Sequence, residues 1–250
     1  MVTIINRYDK AQPLKPGDVH VWTASLDCSQ DELHEFYAIL SDAEQGRADR
    51  YYFKQDQKKY IIRHGLLRHL LSGYLDTDPE TLQFAQSSFG KPYLIHYPDL
   101  KFSLSYSNCM GLFAFGYHNS LGADTEFIKY VPNMNDLVKY CFSMNEQKIL
   151  NSDTDSAKDQ SFYKFWTRKE AIVKGMGTGL NYPIHRISVS LEALQQVHLS
   201  ELHKDQNAIQ TWSLYELNLP PNYEGALATE KCVQDIVYFN GSENPEIYND

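Results

Sequence analysis

Leu121-Gly-Ala-Asp-Thr-Glu-Phe127 and Trp166-Thr-Arg-Lys-Glu-Ala-Ile-Val-Lys174 decide how this chain is read. An extended segment alternates its side chains between two faces. The first stretch therefore places Asp124 and Glu126 on one face and Leu121, Ala123, Thr125 and Phe127 on the other. On a helix, residues four apart share a face, so Trp166, Glu170 and Lys174 line up. Where such a strand meets such a helix, three carboxylates and one ammonium converge, a seat for a hard divalent cation and a phosphorylated ligand. Each half of that pattern is ordinary by itself. Asp-x-Glu also describes an exposed polar strand face, and Glu170 with Lys174 is also a plain helix ion pair worth about a few tenths of a kcal/mol.

Upstream, Phe102-Ser-Leu-Ser-Tyr-Ser107 alternates strictly, Asn108-Cys-Met-Gly111 supplies turn chemistry, and Leu112–Tyr117 is the expected hairpin partner. Residues 19–27 read as an opening strand. Ser41-Asp-Ala-Glu44 forms a capping box, and the pattern from there to Leu75 predicts two consecutive helices, with Tyr60, Leu67, Leu70, Leu71 and Tyr74 buried. Arg47, Arg50, Lys54, Lys58, Lys59, Arg63 and Arg68 crowd this region, either as a solvated face or as an anion-binding flank. Ser143-Met-Asn-Glu146 is a second capping box. Residues 151–160 read as a polar loop, and Phe162–Lys174 as a helix ended by Gly175. The tail carries strand-like runs at Ile187–Leu191, Thr211–Leu217 and Glu224–Ala228. Helices plus antiparallel strands in each half give an α+β fold.

Composition narrows the classes. A net charge of −9 lacks the basic stripe that nucleic-acid binding needs. No apolar run approaches the roughly 18 residues that span a bilayer, and the opening Met1–Lys10 does not read as a signal peptide. Cys28, Cys109, Cys141 and Cys232 are scattered without a Cys-x-x-Cys spacing, as expected of thiols in a reducing, cytoplasmic setting. Other motifs fail on their chemistry. Asp153-Thr-Asp155 lacks the later EF-hand ligands, with Ala157, Lys158 and Lys164 at the third ligand, glycine and closing glutamate positions. Gly175-Met-Gly-Thr-Gly179 follows a helix rather than opening one, so it is no phosphate-cradling loop. No Gly-x-Ser-x-Gly or His-Glu-x-x-His is present.

In order and spacing, Phe89-Gly-Lys-Pro92, Phe102–Ser107, Gly122-Ala-Asp-Thr-Glu126, Phe162-Tyr-Lys-Phe-Trp-Thr-Arg-Lys-Glu-Ala171 with Lys174, and Gly177–Leu180 resemble the Sfp-type 4′-phosphopantetheinyl transferases. The match runs from about Leu40 to Val189, and Trp-x-x-Lys-Glu-Ala-x-x-Lys is its most specific part. The resemblance implies two similar α+β halves in one chain, related by a pseudo-twofold axis. Residues 1–118 form the coenzyme A nucleotide side, and residues 119–250 carry the metal strand and catalytic helix. It implies transfer of the 4′-phosphopantetheine arm from coenzyme A to a serine of an apo acyl, peptidyl or aryl carrier protein, with release of 3′,5′-adenosine bisphosphate.

Carried over by position, Asp124, Glu126 and Glu170 correspond to Mg²⁺ ligands, and Glu170 also to the base for the carrier serine, directly or through water. Lys174 corresponds to the pyrophosphate-stabilising group. Arg47, Lys91, Ser105 and Tyr106 fall, with Lys174, on coenzyme A-binding positions. Because one chain holds both halves of the cleft, a monomer is expected.

The chain departs from the family pattern at two places. Tyr106 stands where the family has a histidine that contacts a coenzyme A phosphate, and a tyrosine keeps a donor but is not cationic near neutral pH. On that reasoning alone, Tyr106→His lowers the KM for coenzyme A several-fold. The metal strand reads Gly-Ala-Asp-Thr-Glu, with a smaller and partly polar buried face. Two other functions share these residues: a coenzyme A-binding protein with impaired turnover, and another Mg²⁺-dependent enzyme acting on a nucleotide pyrophosphate.

Overall fold

The computed structural model describes residues 13–117, 119–179, 182–200 and 209–241. Leu180 and the opening decapeptide read above lie outside the described residues. Two four-stranded sheets and a two-stranded ribbon carry six helices among those residues, an α+β fold as expected. The first sheet combines β1 (Val19–Ser25), β4 (Leu100–Ser107), β5 (Met110–Tyr117) and β10 (Ile236–Asn240), in the order β10-β1-β5-β4. The second runs β6-β9-β8-β7, from β6 (Leu121–Phe127), β7 (Leu194–Ser200), β8 (Ile209–Glu216) and β9 (Tyr223–Thr229). β2 (Phe84–Gln86) and β3 (Pro92–Leu94) form the ribbon.

Alternation along the strands builds the layers. On β1 and β5, Trp22, Ala24, Phe113 and Phe115 face a core closed by the helix α3 (Lys54–Leu75) through Ile62, Leu66 and Leu70. From the opposite faces, Val19, Val21, Leu112 and Ala114 meet Leu121, Ala123 and Leu227 of the second sheet. Helix α6 (Asp155–Met176) covers that sheet's outer face, packing Phe165, Ile172 and Val173 with Trp212, Ala226 and Ala228. The order is therefore helix, sheet, sheet, helix. The first sheet takes its edge strand from late in the sequence: β10 pairs in parallel with β1, Val21 opposite Tyr238.

Two glycines let α6 approach β6. A Cβ on Gly122 would stand 2.1 Å from the Ala171 carbonyl oxygen and 2.2 Å from the Gly175 nitrogen, and one on Gly175 would meet the Trp212 ring at 2.4 Å. Gly175 is thus a packing residue inside the helix. The stop is two residues later, where Gly177 takes φ +68° and its N–H bonds the carbonyls of Val173 and Lys174.

The hairpin β4–β5 forms as read, closed by Ser107 opposite Met110 and with Asn108 at φ 50°. Both capping boxes form, opening α2 (Asp42–Ala48) and α5 (Met144–Ser152). A third, Ser29 with Glu32, opens α1 (Gln30–Ala38), and α4 (Met134–Cys141) follows β6. Residues 151–160 are mostly helical, because α5 runs to Ser152 and α6 starts at Asp155.

Ile187–Leu191 is not a strand. Ile187 and Val189 are buried, but side chains serve their backbone polar groups: Lys169 donates to the Ile187 carbonyl, Glu146 accepts from Val189 N–H, and Arg168 donates to the Ser190 carbonyl. No ladder partner is required.

Candidate active site

The site is built on a seam between the two sheets. β4 and β6 run side by side without pairing as strands; serine side chains stand in for the ladder. Ser103, Ser105 and Ser107 accept from the backbone N–H groups of Ala123, Thr125 and Phe127 at 2.9, 3.4 and 3.0 Å. The hydroxyls of Ser105 and Ser107 in turn donate to Asp124 Oδ1 and Glu126 Oε2, each at 2.7 Å. A period-two run of serines is thereby matched to a period-two pair of carboxylates.

From the other side, α6 presents Trp166, Glu170 and Lys174 to a cavity of about 510 Å³, which Ser105, Asp124 and Glu126 also line. Lys174 Nζ reaches Asp124 Oδ1 at 2.6 Å and Ser105 Oγ at 2.9 Å. The close approach at Gly122 makes this reach possible. Leu104, Glu170 and Lys174 also line a second cavity of about 310 Å³ on the side of Lys91 and Phe89.

The electrostatics suit a cation. Burial pushes the Glu170 carboxyl above its ordinary range, the charges of Asp124 and Glu126 add to this, and Lys174 opposes it. Glu126 is likewise raised by burial, against the Ser107 hydrogen bond, with Asp124 adding repulsion. Asp124 Oδ2 is buried without a hydrogen-bond partner, an oxygen that a metal ion would satisfy. Among the described residues, no three His, Cys, Asp or Glu side chains are gathered tightly enough to hold a metal as they stand. Lys174 holds one oxygen of Asp124, and Ser107 holds Glu126. The donor set fits Mg²⁺, which takes few carboxylates and completes its shell with water and phosphate.

The remaining candidates lie around this centre. Ser105 and Tyr106 line the cavity. Tyr106 is 47% exposed, so it is not a core residue although Phe102, four residues back on the same strand, is buried. The stem of Lys91 lines the second cavity, while its ammonium donates to the carbonyls of Leu121 and Gly175 at 2.9 and 2.7 Å. It ties the loop before β3 to the second sheet and its helix, and burial pulls it down to about 8. Arg47 ends α2, its guanidinium 5.6 Å from the Tyr60 ring centroid.

The basic stretch is not uniformly solvated. Arg63 and Arg68 are buried, and Arg68 pairs with Glu44 at 2.6 Å. The role of Ser107 in the seam was not singled out from the sequence. Matching the Ser-x-Ser-x-Ser alternation to Asp-x-Glu would have found Ser107.

A strand-borne carboxylate pair facing a helix-borne Glu and Lys, in a cleft between two sheets, is suited chemically to a cation and a phosphate-bearing ligand. Comparison with known proteins makes the class specific. Residues 120–228 match the family model described as the 4′-phosphopantetheinyl transferase superfamily, and residues 22–114 match 4′-phosphopantetheinyl transferase, N-terminal. The chain is 32% identical to 4′-phosphopantetheinyl transferase HetI of a Nostoc species over 218 residues, 86% of this chain and 89% of that protein. It is 30% identical to 4′-phosphopantetheinyl transferase Sfp of Bacillus subtilis, over 68% of this chain and 75% of that one. It is 27% identical to the L-aminoadipate-semialdehyde dehydrogenase-phosphopantetheinyl transferase of Schizosaccharomyces pombe, over 65% and 68%. The chain belongs to the 4′-phosphopantetheinyl transferase family.

Proposed function

We propose that this chain transfers the 4′-phosphopantetheine arm of coenzyme A to the serine hydroxyl of an apo carrier protein, acyl, peptidyl or aryl. The serine oxygen bonds to the phosphorus carrying the pantetheine arm, the pyrophosphate P–O bond breaks, and 3′,5′-adenosine bisphosphate leaves. The observation that carries this reading is the buried, unpartnered Asp124 Oδ2 beside Lys174, in a cavity that also holds Glu126 and Glu170. Asp124, Glu126 and Glu170 would hold Mg²⁺, which supplies charge neutralisation where the pyrophosphate is attacked. Glu170, raised by its surroundings, would accept the serine proton, directly or through water. Lys174 stabilises the negative charge that builds on the pyrophosphate. Arg47, Lys91, Ser105 and Tyr106 bound the coenzyme A site, Lys91 through its stem and through the link it makes between the halves.

The division into residues 1–118 and 119–250, related by a pseudo-twofold axis, is part of the same proposal, with β10 returning to the first sheet. The chain acts as a monomer of 28.9 kDa, since both sides of the cleft come from one chain. A cytoplasmic setting suits the absence of any disulfide among its cysteines, and no described helix is long and apolar enough to cross a membrane. Incubation with coenzyme A, Mg²⁺ and apo carrier proteins, followed by mass spectrometry, tests the reading. A carrier that gains the phosphopantetheine mass supports it. Coenzyme A bound without turnover, or cleaved without a carrier, would point to the other two readings instead.

A further inference from the structure

Serine side chains fix one oxygen on each strand carboxylate. Asp124 Oδ1 accepts from Ser105 Oγ at 2.7 Å and from Lys174 Nζ at 2.6 Å, while Oδ2 is buried without a hydrogen-bond partner. Glu126 Oε2 accepts from Ser107 Oγ at 2.7 Å. Both hydroxyls are themselves anchored to β6, Ser105 by the Thr125 N–H at 3.4 Å and Ser107 by the Phe127 N–H at 3.0 Å. They stand at fixed points along the strand rather than turning with the carboxylates they hold.

The two restraints are unequal. Asp124 is buried and keeps a neutral and a charged donor on the same oxygen. Glu126 is longer and less buried, and among the described residues Ser107 is its one side-chain donor. How many oxygens Glu126 offers an ion therefore rests on Ser107. That number separates the hard cations. Ca²⁺ takes about six to eight oxygens and accepts both oxygens of a carboxylate. Mg²⁺ is octahedral at about 2.1 Å, which sets neighbouring ligand positions about 2.9 Å apart, wider than the two oxygens of one carboxylate.

Resting on the Mg²⁺ reading above, we infer that Ser107 determines metal specificity: by holding Oε2 of Glu126 it confines that carboxylate to one coordinating oxygen and so discriminates against Ca²⁺. Chelation of Ca²⁺ by both oxygens of Glu126 would break the Ser107 bond and leave a hydroxyl, tied to the Phe127 N–H, without its acceptor. Mg²⁺ on Oε1 alone leaves that bond in place. Ser107 is thus a positioning residue that acts through Glu126, and the seam that joins the two sheets also sets which hard cation the site takes.

Competition against Tb³⁺, a luminescent stand-in for Ca²⁺, tests this without relying on turnover. Trp166 lines the cavity with Glu126 and Glu170 and serves as the sensitiser. Mg²⁺ or Ca²⁺ then displaces the Tb³⁺, with coenzyme A left out because its phosphates chelate the ions. The ratio of the two displacement constants is read on the wild type, Ser107→Ala, Ser107→Cys and Ser107→Thr. The wild type is expected to bind Mg²⁺ at least as tightly as Ca²⁺. Ser107→Ala should move the ratio toward Ca²⁺ by about tenfold or more. Ser107→Cys, with a weaker donor, should move it the same way by less, and it carries the test if the alanine variant does not fold. Ser107→Thr keeps the hydroxyl and should stay near the wild-type ratio. A serine that only supports the fold would weaken both ions alike; an unchanged ratio in the alanine and cysteine variants would overturn the inference, as would a wild type that prefers Ca²⁺. Luminescence that neither ion quenches and that survives in Asp124→Asn removes the Mg²⁺ reading itself, and this inference with it, by a different signature.

Discussion

Ser105 donates its hydroxyl hydrogen to Asp124 Oδ1 at 2.7 Å while accepting from Lys174 Nζ at 2.9 Å and from Thr125 N–H at 3.4 Å. The hydroxyl's donor and both its lone pairs are thus in use. One small side chain joins the two sheets and orients the carboxylate. Ser105→Ala should therefore cost about 1–3 kcal/mol of stability, because the buried Thr125 N–H loses its acceptor. It should also lower kcat, because Asp124 loses a restraint. Thermal melts and steady-state kinetics check the pair; a melting temperature and kcat both at wild-type values would show the seam to be ornamental.

Asp124→Asn and Glu170→Gln keep side-chain size and remove charge. Each is expected to lower carrier loading by on the order of a thousandfold or more with the fold retained, measured by mass spectrometry of the carrier and by circular dichroism. Glu126→Gln should cost less, since Ser107 still holds the side chain. Near-normal turnover of Glu170→Gln at saturating Mg²⁺ would refute the base assignment.

The Tyr106→His expectation changes once Arg63 is seen. An imidazolium in place of a ring 4.2 Å from a guanidinium meets a like charge, which disfavours protonation. The several-fold gain in coenzyme A affinity expected from sequence reasoning should shrink to within about twofold at neutral pH. In the Arg63→Met background the gain should return. The KM for coenzyme A across the four combinations decides this.

Lys169 and Glu146 are fully buried and 2.8 Å apart. Lys169→Met strands a carboxylate in the core and should cost about 3–5 kcal/mol. Adding Glu146→Gln should recover part of this by removing the charge. Urea unfolding of the two variants gives the comparison, and equal stability of both would deny that the lone charge is the cause.

Burial alone would raise Glu44, but hydrogen bonds from His64, Arg68 and Ser41 N–H outweigh it and hold the carboxyl down to about 2. A carboxylate depressed on folding contributes stability that is whole above its unfolded value, near 4.5, and is lost as pH falls toward the folded one. The contribution is on the order of 3 kcal/mol. The stability difference between wild type and Glu44→Gln should accordingly be large at pH 6 and shrink on acidification to pH 3. A difference that does not change with pH would exclude the linkage.

Features that depend on near neighbours along the chain are legible in the residues alone. Alternation in Leu121–Phe127 and Phe102–Ser107 and the helical spacing of Trp166, Glu170 and Lys174 are local periodicities, and they fall on one cavity as read. The capping boxes at Ser41 and Ser143 are equally local. Tertiary structure decided what depends on partners remote in the chain. Ile187–Leu191 has strand composition but becomes a loop because Lys169, Arg168 and Glu146 serve its backbone. Lys169 sits inside the Trp166–Lys174 motif beside Glu170, yet one points into the core and the other into the cavity. Gly175 reads as a helix stop until Gly122 and Trp212 close on it. Arg63 and Arg68 are the same residue type on one helix, and the placement of Glu44 decides that Arg68 is ion-paired while Arg63 lies against the Tyr60 and Tyr106 rings. Local spacing chooses the face a side chain occupies, whereas charge compensation and close packing depend on which distant segments meet that face.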